Sequence, residues 1–139
     1  MGDPSAAGSR PSLFERLLAE SREAHACGQH QVAYHALTAA MHAADAAADV
    51  PALETAGHEA TAQLAHIDVH VPEHRLSTRS AARHAHPGVY TLLARQSQMH
   101  VQMHEAREEA RERSSASRTR DHGAKHAHDV VRDPKRLAK

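Results

Sequence analysis

Large apolar side chains are scarce in this chain, and their scarcity limits what it can fold into more than any other feature. Only 20 of the 139 residues are Leu, Ile, Val or Phe, whereas 29 are Ala. Ala is the strongest helix former, but its side chain removes little apolar surface from water. The composition therefore favours helices around a thin core, and we expect a marginally stable monomer that a partner or a second copy completes.

Helical periodicity runs through most of the sequence, and no stretch shows the apolar–polar alternation of a strand. The string SLFE at residues 12–15 is a capping box, in which the side chains of Ser12 and Glu15 each bond the backbone at a helix start. Gly28 suits the end of that helix because glycine adopts positive φ without penalty. The spacing predicts helices over about 12–27, 30–48, 51–67 and 89–113, with a short helix at about 78–85.

These helices predict an all-α fold of antiparallel helical hairpins, arranged as a repeat or as a small helix bundle, with disordered termini. Residues 1–11 are expected to form a flexible leader, 12–113 a single α-helical domain, and 114–139 a disordered, basic, histidine-containing tail. The last helix is expected to bury one stripe along its length. Its members are Val89, Leu92, Leu93, Gln96, Met99, Met103, Ala106 and Ala110.

The first three helices resemble a tetratricopeptide repeat over about residues 13–67. That family places a Gly at the turn, followed by aromatic, small and large apolar residues at fixed spacing. The matching positions here are Leu17, Ser21, Ala24, Gly28, His30, Ala33, Leu37 and Ala40, and then Leu53, Ala56, Gly57 and Ala60. The resemblance implies hairpins packed in a repeat-like way. Ala24 and His30 stand where the family has aromatic residues, so the His30 ring is expected to pack in the interior.

Charge is unevenly distributed, although the chain is neutral overall. Residues 1–69 carry a net −6 and residues 70–104 a net +3. Arg75, Arg79 and Arg83 would form a basic stripe on a helix, but no aromatic residue lies among them to stack on bases, so a nucleic-acid partner is not expected. No apolar run is long enough to cross a membrane. The single Cys27 excludes an internal disulfide and fits a cytoplasmic location.

Fifteen histidines raise the question of metal binding. His100 and His104 stand four residues apart with Glu108 one turn further, a spacing that chelates Zn²⁺, Ni²⁺ or Cu²⁺ on one helix face. A second candidate set is His66, Asp68 and His70. His35 and His42 are two turns apart, about 10.5 Å, which is too far to share an ion. The alternative is that the histidines are solvated polar residues.

No sequence pattern indicates catalysis: there is no phosphate-binding glycine loop and no nucleophile elbow. We therefore expect a non-catalytic protein–protein interaction or scaffold module of helical-hairpin type, without a cofactor. Its partner is another protein or a second copy of the chain, bound by helix-face or helix-in-groove packing. The alternative is a histidine-rich protein that binds or buffers Zn²⁺, Ni²⁺ or Cu²⁺.

Overall fold

The computed structural model describes residues 8–130, with side chains as far as residue 125. Its described part is all α-helix with connecting turns and contains no strand. The helices are α1 (Leu13–Ala26), α2 (His30–Ala46), α3 (Val50–His70), α4 (Thr78–Arg83) and α5 (Val89–Val130). The all-α prediction is confirmed. The chain divides into two compact units, the first ending at Gln102 and the second beginning at Met103.

The start and end of α1 follow the sequence signals. Ser12 Oγ accepts a hydrogen bond from the Glu15 amide at 3.1 Å, and Glu15 Oε2 accepts from the Ser12 amide at 2.9 Å. Both halves of the capping box are therefore present. At the other end Gly28 has φ +76°, the left-handed conformation that lets the chain reverse into α2.

The second turn is built differently. Asp49 caps α3 by accepting from the Ala52 amide at 3.1 Å, and Pro51 sits in the first turn of that helix. Ala48 takes φ +50°, a conformation that non-glycine residues adopt rarely. Ala48 is exposed and lies outside α2, which ends at Ala46 rather than at the predicted residue 48.

The first unit packs α1, α2, α3 and the first part of α5 with alternating direction. Ser21 Oγ donates to the Ala33 carbonyl, which joins α1 to the antiparallel α2. Ser97 of α5 donates to the Leu53 carbonyl of α3. The core lies between these helices. Its largest fully buried side chains are Leu37, Met41, Leu53, Ile67 and Tyr90.

Close approach of α3 and α5 depends on small residues. A Cβ on Gly57 would lie 3.1 Å from Ser97 Oγ and 3.3 Å from Ser97 Cβ, so a glycine lets these helices come together. The face that α5 buries is formed by Tyr90, Leu93, Ser97 and Val101.

That buried face corrects the stripe expected from the sequence. Leu93 is buried and Val89 is half-buried, but the other six members are exposed. Those six are Leu92, Gln96, Met99, Met103, Ala106 and Ala110. Hydropathy favoured the methionines for the core, whereas the packing against Gly57 requires a side chain as small as that of Ser97.

The end of α5 also differs from the expectation. The helix was expected to end near residue 113 with a disordered tail from Ser114, but its backbone is helical as far as Val130. Side chains one turn apart support the additional turns: Arg118 hydrogen-bonds Ser114 at 3.3 Å, and Lys125 lies 3.9 Å from Asp121. Residues 131–139, and residues 1–7 of the expected leader, lie outside the described residues.

Candidate functional site

Five histidine rings meet beside the α1–α2 turn, and we call them the histidine cluster: His25, His30, His66, His70 and His74. They come from the end of α1, the start of α2, the last turns of α3 and the loop that follows. The ring centroid of His25 lies 4.8 Å from that of His30 and 4.7 Å from that of His66. His30 also lies 5.1 Å from His74, and His66 lies 4.4 Å from His70. The rings thus form one continuous chain of contacts.

Hydrogen bonds restrict where the protons sit in this cluster. The Nδ1 atoms of His25 and His30 are 3.1 Å apart, so one nitrogen must donate and the other accept. His74 Nδ1 accepts from the Leu76 amide at 3.1 Å, which places the proton of the neutral His74 ring on Nε2. The tautomer of the neutral His74 ring is therefore fixed, and those of His25 and His30 depend on each other.

Burial and neighbouring rings act together on the protonation of the cluster. Burial lowers the pKa of His25, and the rings of His30 and His66 lower it further, whereas Glu59 acts in the opposite direction. Burial also lowers the pKa of His30, with further contributions from His74 and His66. Both shifts arise because the cationic form loses water and gains like-charged neighbours.

A buried polar network connects the backbone of the cluster to the rest of the first unit. The Tyr90 hydroxyl donates to Gln63 Oε1 at 2.8 Å and lies 3.4 Å from the His30 carbonyl. Gln63 Nε2 donates to Ser21 Oγ at 2.9 Å and to Glu59 Oε1 at 3.1 Å. Burial raises the pKa of the Tyr90 phenol far above its ordinary value. This network joins all four long helices through side chains that are almost wholly buried.

The three residues of the second metal candidate set make contacts in two different places. His66 and His70 both belong to the histidine cluster, but Asp68 faces the start of α4. Its two carboxylate oxygens accept from the Thr78 amide at 2.8 Å and from the Thr78 hydroxyl at 2.6 Å. The carboxylate therefore fixes the loop to α3.

The first metal candidate set lies along α5 on both sides of the division between the units. In the first unit, His100 Nδ1 lies 3.0 Å from Asp45 Oδ1 on α2. In the second unit, Glu108 Oε2 lies 3.7 Å from Arg111 of the same helix. Within the described part of the chain, no three His, Cys, Asp or Glu side chains are grouped so as to hold a metal ion. Both metal assignments stay predictions.

The remaining polar candidates lie on the surface. His35 and His42 are exposed on α2, and His35 Nε2 hydrogen-bonds Gln31 at 3.0 Å. Of the three arginines in the expected basic stripe, Arg79 and Arg83 both pair with Glu73, at 2.7 and 3.1 Å. Arg75 precedes α4 and is not helical. Glu73 thus neutralises part of the charge that a phosphate would need.

A second surface feature is the α5 stripe, which we define as Leu92, Gln96 and Met99. Leu92 is 46% exposed and Met99 is 60% exposed, although both are large and apolar. With 3.6 residues per turn, they project roughly 100–160° around α5 from Leu93 and Ser97, which are buried. The stripe therefore leaves an apolar helix face uncovered in the first unit.

Sequence reasoning grouped His66 with His70 but did not place His25 and His30 beside them. The two missed rings lie about forty residues away in sequence and meet the others only through packing of α1 and α2 on α3. One signal was available: His25 and His30 flank Gly28, and the turn there brings them together. His30 is buried, as its place in the repeat-like pattern predicted.

Comparison with protein-family models, with curated proteins and with solved structures found no match for this chain. Its resemblance to tetratricopeptide repeats stays a prediction. Over the described residues, no helix combines the length and apolarity needed to cross a membrane.

Proposed function

We propose that this protein is a non-catalytic interaction module that binds an α-helix of another chain along the α5 stripe. The observation that carries the proposal is the exposure of Leu92 and Met99 on a helix whose opposite face is already committed to the core. Apolar side chains that face water on one side of a helix gain free energy when a partner covers them. The stripe supplies this driving force without a catalytic group.

The spacing of the stripe suits a helical partner. Leu92, Gln96 and Met99 stand four and then three residues apart, and the sequence continues the same alternation at Met103, Ala106 and Ala110. This alternation brings side chains to one seam between two packed helices. Small residues such as Ala let the two backbones approach closely.

A second copy of the chain is the occupant we expect. Residues 105–113 carry four Glu and three Arg in mixed order, so two such helices offer each other both signs of charge. The thin core of the first unit also favours a second copy that covers more apolar surface. A helix from another protein is the alternative occupant.

Sedimentation of the full chain tests this proposal. We expect a concentration-dependent dimer for the natural sequence and a monomer for the double variant Leu92→Gln, Met99→Gln, with unchanged helical circular dichroism. The matched control is Val32→Gln, Val69→Gln, which removes two other apolar side chains that are 54% and 74% exposed. The control is expected to dimerise like the natural chain.

Two results would contradict the proposal. A double variant that dimerises as tightly as the natural chain places the interface elsewhere. A natural chain that is monomeric at all concentrations excludes the second copy. Crosslinking in its native cell then decides about other partners, and equal partner recovery by natural chain and variant would reject the stripe altogether.

Metal binding is the second candidate function, and one observation favours it. His66 and His70 are both exposed, stand four residues apart on α3 and have ring centroids 4.4 Å apart. Such a pair suits a two-histidine chelate of Zn²⁺, Ni²⁺ or Cu²⁺. We expect His66→Ala, His70→Ala to weaken Zn²⁺ binding measured by calorimetry more than the control His35→Ala, His42→Ala does.

The candidate along α5 is tested in the same way with His100→Ala, His104→Ala. Equal affinity of all variants for Zn²⁺ would mean that binding is spread over many histidines rather than held at one site.

We also propose a cytoplasmic location, which is compatible with the free, exposed thiol of Cys27.

A further inference from the structure

Three rings of the histidine cluster come from three different helices and contact one another: His25 of α1, His30 of α2 and His66 of α3. We propose that these three side chains bind one divalent cation of the Zn²⁺ type, with Nδ1 of His25 and Nδ1 of His30 as the first two ligands. This inference rests on the second proposed function, metal binding, and assigns the ion to donors other than the His66–His70 pair.

The nitrogens of His25 and His30 already have the spacing of two metal ligands. Their Nδ1 atoms lie 3.1 Å apart. Zn–N bonds of about 2.0–2.1 Å place two ligand nitrogens about 3.4 Å apart at a tetrahedral angle and about 2.9 Å apart at a right angle. The observed distance lies between these values, so a cation can take a lone pair from both atoms with little movement of either ring.

The His66 ring lies close enough to become the third ligand. Three rings that bind one tetrahedral ion have centroids about 5 Å apart. The centroid of His66 lies 4.7 Å from that of His25 and 6.3 Å from that of His30. Within the described residues no three donors converge in the present side-chain conformations, so the His66 ring has to turn towards the other two. It is exposed, and only ring contacts are described for it, so this rotation breaks no hydrogen bond of the described fold.

The α1–α2 turn holds the first two donors in place. Gly28 has φ +76°, and the Gln29 amide donates to the Ala24 carbonyl at 2.9 Å. These features fix the short backbone segment between His25 and His30. The two Nδ1 atoms therefore face each other because of the turn itself, and the ion does not have to organise that segment.

The buried polar network positions the third donor. Gln63 stands three residues before His66 on α3 and donates to Ser21 of α1 at 2.9 Å. This bond fixes α3 against α1 just before His66. All three donors are thus carried by helices that are already packed together, as a preorganised metal site requires.

The other two rings of the histidine cluster do not fit as ligands of this ion. His74 Nδ1 accepts from the Leu76 amide at 3.1 Å, so the Nε2 atom of the neutral ring carries the proton and has no lone pair to give. His70 lies 4.4 Å from His66 by ring centroids and, in the described part of the chain, joins the cluster through that ring alone. Three histidines and one water molecule make up the four ligands that Zn²⁺ prefers.

An ion at this place ties α1, α2 and α3 together. Because the three donors come together only in the folded chain, binding stabilises the folded state by an amount that grows with the free ion concentration. A chain with few large apolar side chains gains more from such a link than a chain with a thick core.

Calorimetric titration of the full, metal-free chain with Zn²⁺ alone is the first test. We expect one tight ion per natural chain. His25→Gln is expected to weaken that ion by about tenfold or more, a loss that removal of a group behind a ligand already causes. The variant His70→Gln and the control His35→Gln, on the exposed face of α2, are expected to bind like the natural chain.

The outcomes separate this inference from metal binding in general. If His70→Gln weakens the tight ion and His25→Gln does not, the ion belongs to the pair on α3, which overturns the three-helix site and leaves the proposed metal-binding function standing. Absence of a tight ion in the natural chain overturns both. Equal, small losses in all three variants mean that Zn²⁺ is spread over many rings and also reject the site.

A second measurement uses only the natural chain and so decides the question even if His25→Gln fails to fold. Nuclear magnetic resonance of the histidine ring nitrogens distinguishes Nδ1 from Nε2. The first equivalent of Zn²⁺ is expected to shift the Nδ1 signals of both His25 and His30, together with one nitrogen of His66. Unchanged Nδ1 signals of His25 and His30 at that point would refute the proposal.

Discussion

The two units of this chain make helices by different means. In the first unit, every long helix buries a face, and the core is closed by side chains such as Leu37, Leu53 and Tyr90. In the second unit, His104 is half-buried and all residues from 105 to 125 are exposed. The first unit is stabilised by tertiary packing, whereas the helix of the second relies on intrinsic propensity and on pairs such as Glu109–Arg113. The same substitution should therefore have different consequences in the two units.

The largest expected difference comes from truncating an apolar side chain. Leu53 is fully buried, and Leu53→Ala is expected to lower the free energy of unfolding by roughly 2–5 kcal/mol, because a cavity remains. Met103→Ala removes a similar volume from a side chain that is 46% exposed and should cost far less. Urea unfolding of both variants gives the comparison. Equal losses would mean that the two units do not differ in how they are stabilised.

Removing one hydroxyl from the buried network should have the next largest effect. Tyr90→Phe leaves Gln63 Oε1 without the donor it has at 2.8 Å, which is expected to cost about 1–3 kcal/mol of folding free energy. Tyr34→Phe is the matched control, since Tyr34 is half-buried and its ring packs against Tyr90. The two variants are compared by thermal unfolding. A larger loss for Tyr34→Phe would argue against the network as a stabilising element.

One glycine in each unit allows the sharpest comparison. Gly123→Ala adds a methyl where nothing lies within 4 Å, so helix content should rise with a gain of roughly 0.5–1 kcal/mol in local helix stability. Gly57→Ala has the same propensity gain but meets Ser97, which cannot move without losing its bond to the Leu53 carbonyl. We expect Gly57→Ala to destabilise the first unit by about 1 kcal/mol. Circular dichroism and urea unfolding test the opposite signs, and stabilisation by both variants would contradict the packing argument.

The smallest effects concern surface ion pairs. Arg22 lies 3.0 Å from Glu59, whose side chain is only 17% exposed, so Arg22→Ala should cost up to about 1 kcal/mol. Arg113 lies 3.8 Å from Glu109, and both side chains are well exposed. Arg113→Ala should therefore lower the free energy of unfolding by only about 0.3 kcal/mol, and this effect should vanish in high salt. Urea unfolding of both variants at low and at high salt shows whether each loss of stability depends on charge. A salt-insensitive Arg113→Ala would point to a cause other than charge.

Local signals in the sequence identified the local structure well. The capping box at Ser12 and Glu15 and the turn at Gly28 each depend on residues within one turn of one another, and both are present. The burial of α1 to α3 was also largely predictable, because Leu37, Leu53 and similar residues recur at helical spacing.

Prediction was less successful where structure depends on distant residues. The predicted buried face of α5 was wrong because the face that packs is determined by Gly57 on α3. Hydropathy alone favours Met99 over Ser97 for a buried position. The histidine cluster was only partly foreseen, since His25 meets His66 through helix packing. The length of α5 was underestimated because the polar composition from Ser114 onward predicts disorder, whereas residues 114–125 are helical with every side chain exposed.

The buried polar network also decides the register of the fold. Helix faces made largely of Ala are smooth, and smooth faces can slide past one another with little change in contact energy. Hydrogen bonds from Tyr90 to Gln63, from Gln63 to Ser21 and from Ser21 to the Ala33 carbonyl are satisfied in only one alignment of the four helices. In a chain so rich in alanine, these few polar atoms select a single packing among many interchangeable ones.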